Sequence, residues 1–565
     1  MIVIALGMKS FLSLLTKHSP EDLTDRRWVF VPYDQLTDRV GPLATTPPAS
    51  LGIILIENRW KAERRPYHQQ KLALVLSNMR HFALEQARRG VAVRYLYTDG
   101  CYRDALRQVA EELGPITMMR PAEYELRADL AALFAEGLLV EVPHEGWLTT
   151  RDDFLRGAGA KPPWRQDKFY RQVRQRTGLL MTDDGKPMNG RYSFDGDNRE
   201  FWPGTPAAPE PPTFSTDCAI KQEVADLIRT TFPDHPGAVD LATLPATQAD
   251  AQRLWAWAKA ECMTHFGPYE DAMSTQSRGV FHTRVSPLLN LHRLLPAQVI
   301  DDVVEMDIPF NSKEGFVRQV IGWREFVHHV HEETDGFRNL DGVAVQEHPG
   351  DGGYAQWAGK PWAARKADHV DGGADPHHLE GDMPVPQAWW GKPSGLRCLD
   401  EVVKDLWDEG WTHHIPRLMI LANFATLLGV SPRSLTDWFW VAYIDAYDWV
   451  VEPNVLGMGT FSVGPVMTTK PYVSGAPYVN RMSNYCKKCP FHPSKTCPVS
   501  NLYWAFMARN RETLSDIFRI KRLLGNLDRR SERKKAQDQQ IYQLLRRRFS
   551  EGLPVSPEMI ARETS

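Results

Sequence analysis

Three cysteines stand in one short run, Cys486-Lys-Lys-Cys489-Pro-Phe-His-Pro-Ser-Lys-Thr-Cys497-Pro498. Two thiolates separated by two residues can grip one metal centre without straining the backbone, and a third a loop away closes most of a coordination shell. A proline directly after the last ligand is how iron–sulfur runs often end. A four-cysteine cluster needs one more ligand from far away in the chain. Cys398 is the nearest candidate, with Cys101, Cys218 and Cys262 well before it. Zinc held by Cys486, Cys489, His492 and Cys497 is the rival reading. Local spacing leaves both open but disfavours a disulfide framework.

Two other groups carry chemistry. His413 and His414 are adjacent, and imidazole suits proton transfer because it titrates near neutral pH. On bare sequence such a pair is more often structural. Thr283, Arg284 and Ser286 precede a helix expected from about Pro287, and offer hydroxyls, a cation and free N–H groups to a phosphate. The plain alternative is Ser286 as a helix cap.

The elements that position these residues follow from length and pattern. A chain of 565 residues is too long for one core, so two or three domains are expected. Hydrophobic content of 42% and charged content of 24% describe an ordinary globular protein. The net charge of −3 hides an asymmetry, because residues 519–548 hold eleven Lys or Arg against three acids. Such a segment is a solvated helix face or a phosphate-binding one. No apolar run reaches the roughly twenty residues of a membrane span, and the first twenty residues lack a charged n-region and cleavage site. With few cysteines in a long chain, a cytoplasmic, non-membrane protein is expected.

Residues 28–36, 51–57, 91–97, 116–119 and 138–142 are apolar stretches that read as strands. Amphipathic helices over 71–89 and 104–113 alternate with them. This alternation predicts a doubly wound parallel sheet over 25–150, after an N-terminal extension at 1–24. Ligands of such sheets bind beyond the carboxyl ends of the strands, where Asp34, Gln35 and Glu57 fall. No Gly-x-Gly-x-x-Gly follows the first strand, which disfavours Rossmann-type dinucleotide binding there. The pattern dissolves over 151–245, read as a long ordered connector. Helical periodicity then dominates through 249–263, 286–306, 313–332, 399–408, 415–428 and 433–445. The Gly-, Asp-, His- and Pro-rich stretch at 340–388 reads as an insertion. The large helical domain spans 246–525, and 526–565 is a basic C-terminal segment.

Five strings of this helical half, in order, together resemble one family. They are Phe266-Gly-Pro-Tyr-Glu-Asp-Ala-Met273, Phe281-His-Thr-Arg-Val-Ser-Pro-Leu-Leu-Asn290, Gly322-Trp-Arg-Glu-Phe326, His413-His-Ile-Pro-Arg-Leu-Met419 and Asp445-Ala-Tyr-Asp-Trp-Val-Val-Glu-Pro-Asn-Val-Leu-Gly-Met458. They are similar to the flavin-binding domain of the cryptochrome/photolyase family. With the cysteine run they resemble its bacterial iron–sulfur class, whose members act as prokaryotic (6-4) photolyases or blue-light receptors.

The resemblance implies a [4Fe-4S] cluster on Cys398, Cys486, Cys489 and Cys497. It implies FAD held by Tyr269, His282, Thr283, Arg284, Val285, Ser286, Gln319, Trp323, Arg324, Asn423, Asp445, Glu452 and Asn454, with Glu452 and Asn454 competing for the place facing flavin N5. It implies His414, or His413, as proton donor to a lesion, and Trp438, Trp390 and Tyr447 as an electron relay. It further implies a 6,7-dimethyl-8-ribityllumazine antenna near Asp34, Gln35, Leu36 and Glu57. The expected partner is UV-damaged DNA, held also by the connector at 161–176 and the basic C-terminal segment, and a monomer is expected. Two functions follow from different classes: a light-driven lyase repairing (6-4) photoproducts, and a blue-light receptor signalling through flavin photoreduction. The histidine pair favours repair, since a receptor needs no proton donor for a lesion.

Overall fold

The computed structural model describes residues 9–20, 23–362 and 372–564. Five parallel strands, β1 Arg27–Phe30, β2 Leu51–Asn58, β3 Ala92–Thr98, β4 Ile116–Met119 and β5 Leu139–Val142, form one sheet in the order β3-β2-β1-β4-β5. Every residue of β2 is buried, as expected of a central strand with both faces covered. Its β-branched Ile53, Ile54 and Ile56 suit that pleated, enclosed position. The order of strand addition reverses between β1 and β4, so the loop after β1 opens at the topological switch point.

The N-terminal extension carries the helix Lys9–His18, whose Phe11 and Leu15 are buried. The connector is more structured than its composition suggests. Helices Arg151–Ala158, Gln166–Thr177 and Ala219–Thr231 run through it. The second of them buries only Phe169, Tyr170, Val173 and Arg174, too few apolar positions to announce a helical period.

The helical half surrounds a core in which Trp255, Trp389, Trp438, Arg293 and Arg433 are fully enclosed. The stretch expected as one helix over 286–306 is two, Ser286–Asn290 and Pro296–Glu305, the second starting at the proline. Four segments are wound one residue wider than an α-helix: Ala258–Cys262, Arg318–Glu325, Pro416–Ala422 and Glu452–Gly459. Such wide turns shift side chains out of ordinary helical register and recur at functional sites. Three of them contain or adjoin residues singled out above.

The two halves are joined through buried polar contacts. Lys71 donates to the carbonyls of Trp440 and Ala446, and the His292 ring meets the Asp34 carbonyl at 2.6 Å. No helix among the described residues is long and apolar enough to cross a membrane.

Candidate functional site

His413 and His414 lie just before the wide-turn segment Pro416–Ala422 and have different surroundings. His413 is buried, its ring stacked on His282 with centroids 4.2 Å apart and planes 14° apart. His282 in turn holds the Glu270 carbonyl at 3.0 Å through Nε2. Burial pushes His282 down to about 3 and His413 well below the usual imidazole range, so both stay neutral at working pH. His414 keeps 39% of its side chain exposed, with Nε2 3.7 Å from Asp271 Oδ1. Arg199 reaches the other oxygen of Asp271 at 3.6 Å. Each of the three rings brings a nitrogen within 4.8 Å of the others. One histidine is packed and neutral, and its neighbour is open beside a carboxylate.

Around this pair the residues expected to hold FAD fall into several networks. Asp445 accepts the Ser286 hydroxyl at 2.7 Å and a two-pronged contact from Arg417, while its carbonyl accepts Asn290. Ser286 therefore does not cap its helix, whose N-terminus has no side-chain cap. Arg284 pairs with Glu409 at 2.6 Å and lies 4.5 Å from the Trp411 ring. Its left-handed φ of 56°, rare for a side chain other than glycine, turns the backbone there. Gln319 and Arg318 both reach the Glu270 carboxylate. Tyr269 stacks on Phe281, Asn423 bonds Ser474, and Trp323 stands edge-on to Phe326. Thr283 and Val285 are buried beside them. Arg417, Glu270, Glu409 and Trp411 were not singled out from sequence, because their partners lie far along the chain.

Trp411 Nε1 and His413 Nδ1 are buried without a hydrogen-bond partner, and Arg324 Nη1 has only Glu325 Oε1 at 3.6 Å. Buried polar atoms nearly always have a partner. These under-satisfied atoms fit a ligand rich in hydrogen-bonding groups, such as a flavin dinucleotide. Glu452 lies in a separate charged network. Its carboxylate is enclosed by Arg433 at 2.8 Å and His331 at 2.9 Å, which with Arg338 hold it at about 2, below the carboxylate range. Asn454, half-buried, donates to the Val450 carbonyl and is the freer of the two.

The tryptophans form a different path from the one expected. Trp438, fully buried, meets Trp407 edge-on at 6.2 Å. Trp407 stacks on Trp390 at 5.1 Å, and Trp390 on Trp357 at 4.8 Å. Trp407, which lies between the two expected members, was missed. Tyr447 lies off this path, stacked on Tyr33 at 6.4 Å with Lys71 over its ring.

Cys398, Cys486, Cys489 and Cys497 line one small pocket with Tyr485 and Phe491, and none is in a disulfide. No three of their sulfurs lie within 4.8 Å of one another among the described residues. Burial, then the charge of neighbouring cysteines, pushes Cys486 up to about 11 and Cys497 to about 12. His492 is exposed and does not line the pocket.

The lumazine set does not assemble. Of the four residues only Glu57 lines the cavity beyond the strand ends, and both its oxygens are taken by Arg80, with Tyr95 on one. Gln35 donates to the carbonyls of Met119 and Arg120, and Leu36 is core. Asp34 is buried with one oxygen unpartnered, and burial raises its carboxyl to about 7. These four side chains do not share one cavity among the described residues.

The basic C-terminal segment is also more committed than its charge suggests. The helix Glu532–Ser550 buries Ile541, Leu545 and Phe549, and Arg530, Arg546 and Arg547 pair with Asp538, Asp382 and Glu563. Burial lowers the Lys470 pKa, and the charges of Arg519 and Arg199 lower it further.

Three comparisons bear on this arrangement. A family profile described as deoxyribodipyrimidine photo-lyase-related protein matches residues 29–243. The chain is 31% identical over 520 residues to the (6-4) photolyase of Agrobacterium fabrum, covering 88% of this chain and 95% of that one. Its fold is similar to the crystal structure of a bacterial class III photolyase from Agrobacterium tumefaciens. That match has a TM-score of 0.51 at 15% identity, over 88% of this chain and 99% of the other.

Proposed function

The chain belongs to the cryptochrome/photolyase family, and from that premise we propose that it is a light-driven lyase repairing (6-4) pyrimidine–pyrimidone photoproducts in DNA. The observation that carries this reading is the unequal histidine pair. His414 is open beside Asp271 and Arg199, while His413 is locked against His282. A receptor has no use for an accessible proton donor.

In this reading a damaged dinucleotide leaves the duplex and enters the space beside His414, as enzymes acting on bases require. Arg199, Lys470 and Arg519 hold the flanking phosphates. His414, open beside Asp271, delivers a proton to the lesion and takes one back after rearrangement. Stacking on His282 keeps His413 from competing for that proton.

FAD, when bound, supplies the electron that starts the rearrangement. The residues that would hold it are Tyr269, His282, Thr283, Arg284, Val285, Ser286, Gln319, Trp323, Arg324, Asn423, Asp445 and Asn454. Asp445, fixed by Arg417 and Ser286, anchors this set. Trp438, Trp407, Trp390 and Trp357 form the electron supply toward the surface. Cys398, Cys486, Cys489 and Cys497 would hold a [4Fe-4S] cluster that ties the C-terminal helices to the helix Arg397–Glu409. The antenna expectation is not carried forward.

The test is illumination of the reduced protein with an oligonucleotide carrying one defined (6-4) lesion. Restored bases are expected. Normal flavin photoreduction with no repair of any photolesion would replace the enzyme by a receptor.

A further inference from the structure

The inserted stretch at 340–388 has so far no role. It contributes Tyr354, Trp357 and Lys360 to the wall of a cavity of about 840 Å³, and His235 stands among the lining residues. Trp390 and Trp407 line the same space. The three indoles are nearly parallel, with 18° between Trp357 and Trp390 and 17° between Trp390 and Trp407. The outer members of the tryptophan path therefore reach a cavity in the ~300–1,000 Å³ range of small-molecule sites, lined as such sites usually are by aromatic faces with a few polar groups.

Three lysines and three aspartates line this cavity, and Asp400 is taken up by hydrogen bonds from Ser394 and Gly395. Lys360 is held by Asp234 at 2.6 Å and Lys404 by Asp408 at 2.8 Å. Lys392 lines the cavity, is exposed, and has no ion-pair partner among the described residues. A flat aromatic ring suits the indole faces, and an anionic group suits Lys392.

We propose that this cavity docks a soluble reductant, a flat electron-rich heteroaromatic bearing phosphate, with reduced nicotinamide dinucleotide as its simplest representative. The inference rests on the electron-supply part of the proposed function. When Trp357 has lost an electron inward it is an indole radical cation. The docked donor gives it one electron and restores the neutral indole. The oxidised donor then releases a proton to water. Two such donor radicals, taking back one proton, become one oxidised and one reduced molecule.

The test uses the flavin- and cluster-loaded protein with NADH as probe. Dark equilibrium dialysis measures binding, and flavin photoreduction is followed under light above 450 nm at rising NADH. The proposal expects saturable binding and a saturable rate. Lys392→Glu and Ala358→Trp should each raise the half-saturating concentration at least tenfold. Both should keep the parent rate with excess dithiothreitol, which needs no docking site and reports on folding and flavin loading. A rate strictly proportional to NADH in the parent, or variants that saturate like the parent, overturns the docking site. If Trp407→Phe photoreduces at the parent rate with both donors, the tryptophan path itself fails and takes the inference with it.

Discussion

Trp407 lies over Trp390 with ring centroids 5.1 Å apart and planes within 17° of parallel. This contact inserts a member between the two tryptophans that sequence resemblance had paired, since Trp438 meets Trp407 in its turn. Without Trp407 the gap between Trp438 and Trp390 has no aromatic bridge among these ring contacts. Trp407→Phe is therefore expected to slow flavin photoreduction at least tenfold while leaving flavin content unchanged. The variant also loses the Nε1 hydrogen bond to the Trp389 carbonyl, 2.9 Å long, which costs about 1 kcal/mol. Flash absorption of the oxidised protein checks the first effect and thermal melting the second. An unchanged photoreduction rate would remove Trp407 from the path.

Asp34 gives a prediction about pH. Burial raises its carboxyl from 3.8 to about 7, against opposing contributions from its own backbone and Lys61. The folded state thus holds this proton more tightly than the unfolded state. Stability falls as pH climbs from about 4 to 7, and the full penalty persists above 7. Asp34→Asn carries no such penalty. Its melting temperature should exceed the parent's at pH 8, by the equivalent of up to about 4 kcal/mol, and the gap should shrink toward pH 4. A difference that stays constant between pH 5 and pH 8 would show that Asp34 does not titrate in this window.

For the cysteines, metal content is the readout. Cys398→Ala should lose most of the bound iron and lower the melting temperature, because cluster binding is coupled to folding. His492→Ala should keep its iron, since that ring is exposed and outside the pocket. Zinc in place of iron, lost with His492 and kept with Cys398 replaced, would restore the Cys₃His reading.

The parts that were legible in sequence are those written in local pattern. Apolar runs such as Leu51-Gly-Ile-Ile-Leu-Ile disclosed the parallel sheet, because a strand buried on both faces needs uninterrupted apolar residues. The order of short strings disclosed the helical half. What stayed hidden depends on pairs distant in the chain. Glu452 was open as a flavin neighbour until Arg433, Arg338 and His331 were found around it, the last 121 residues away. Trp407 sits on a helix whose polar residues give no hint of the indole it covers. The helical period over 313–332 gave no sign that Arg318–Glu325, which carries Gln319, Trp323 and Arg324, is wound wider than an α-helix.

The histidine pair supports the sharpest test of the proposed reaction. His414→Ala should retain flavin, iron and affinity for lesion DNA, because its ring is the half-exposed one and its recorded partners are few. Repair of a (6-4) lesion by pre-reduced protein should fall by about a hundredfold to ten-thousandfold, the usual worth of a positioned general acid. His413→Ala is expected to behave differently. That ring is buried and stacked on His282, so its loss opens a void and lowers the melting temperature by several degrees. Any fall in its repair should track the loss of folded protein. Measuring repair per mole of bound flavin in both variants separates the two roles. Parent-level repair by His414→Ala would exclude it as the acid, whereas equal melting and equal repair losses in the two variants would make the pair a single structural unit.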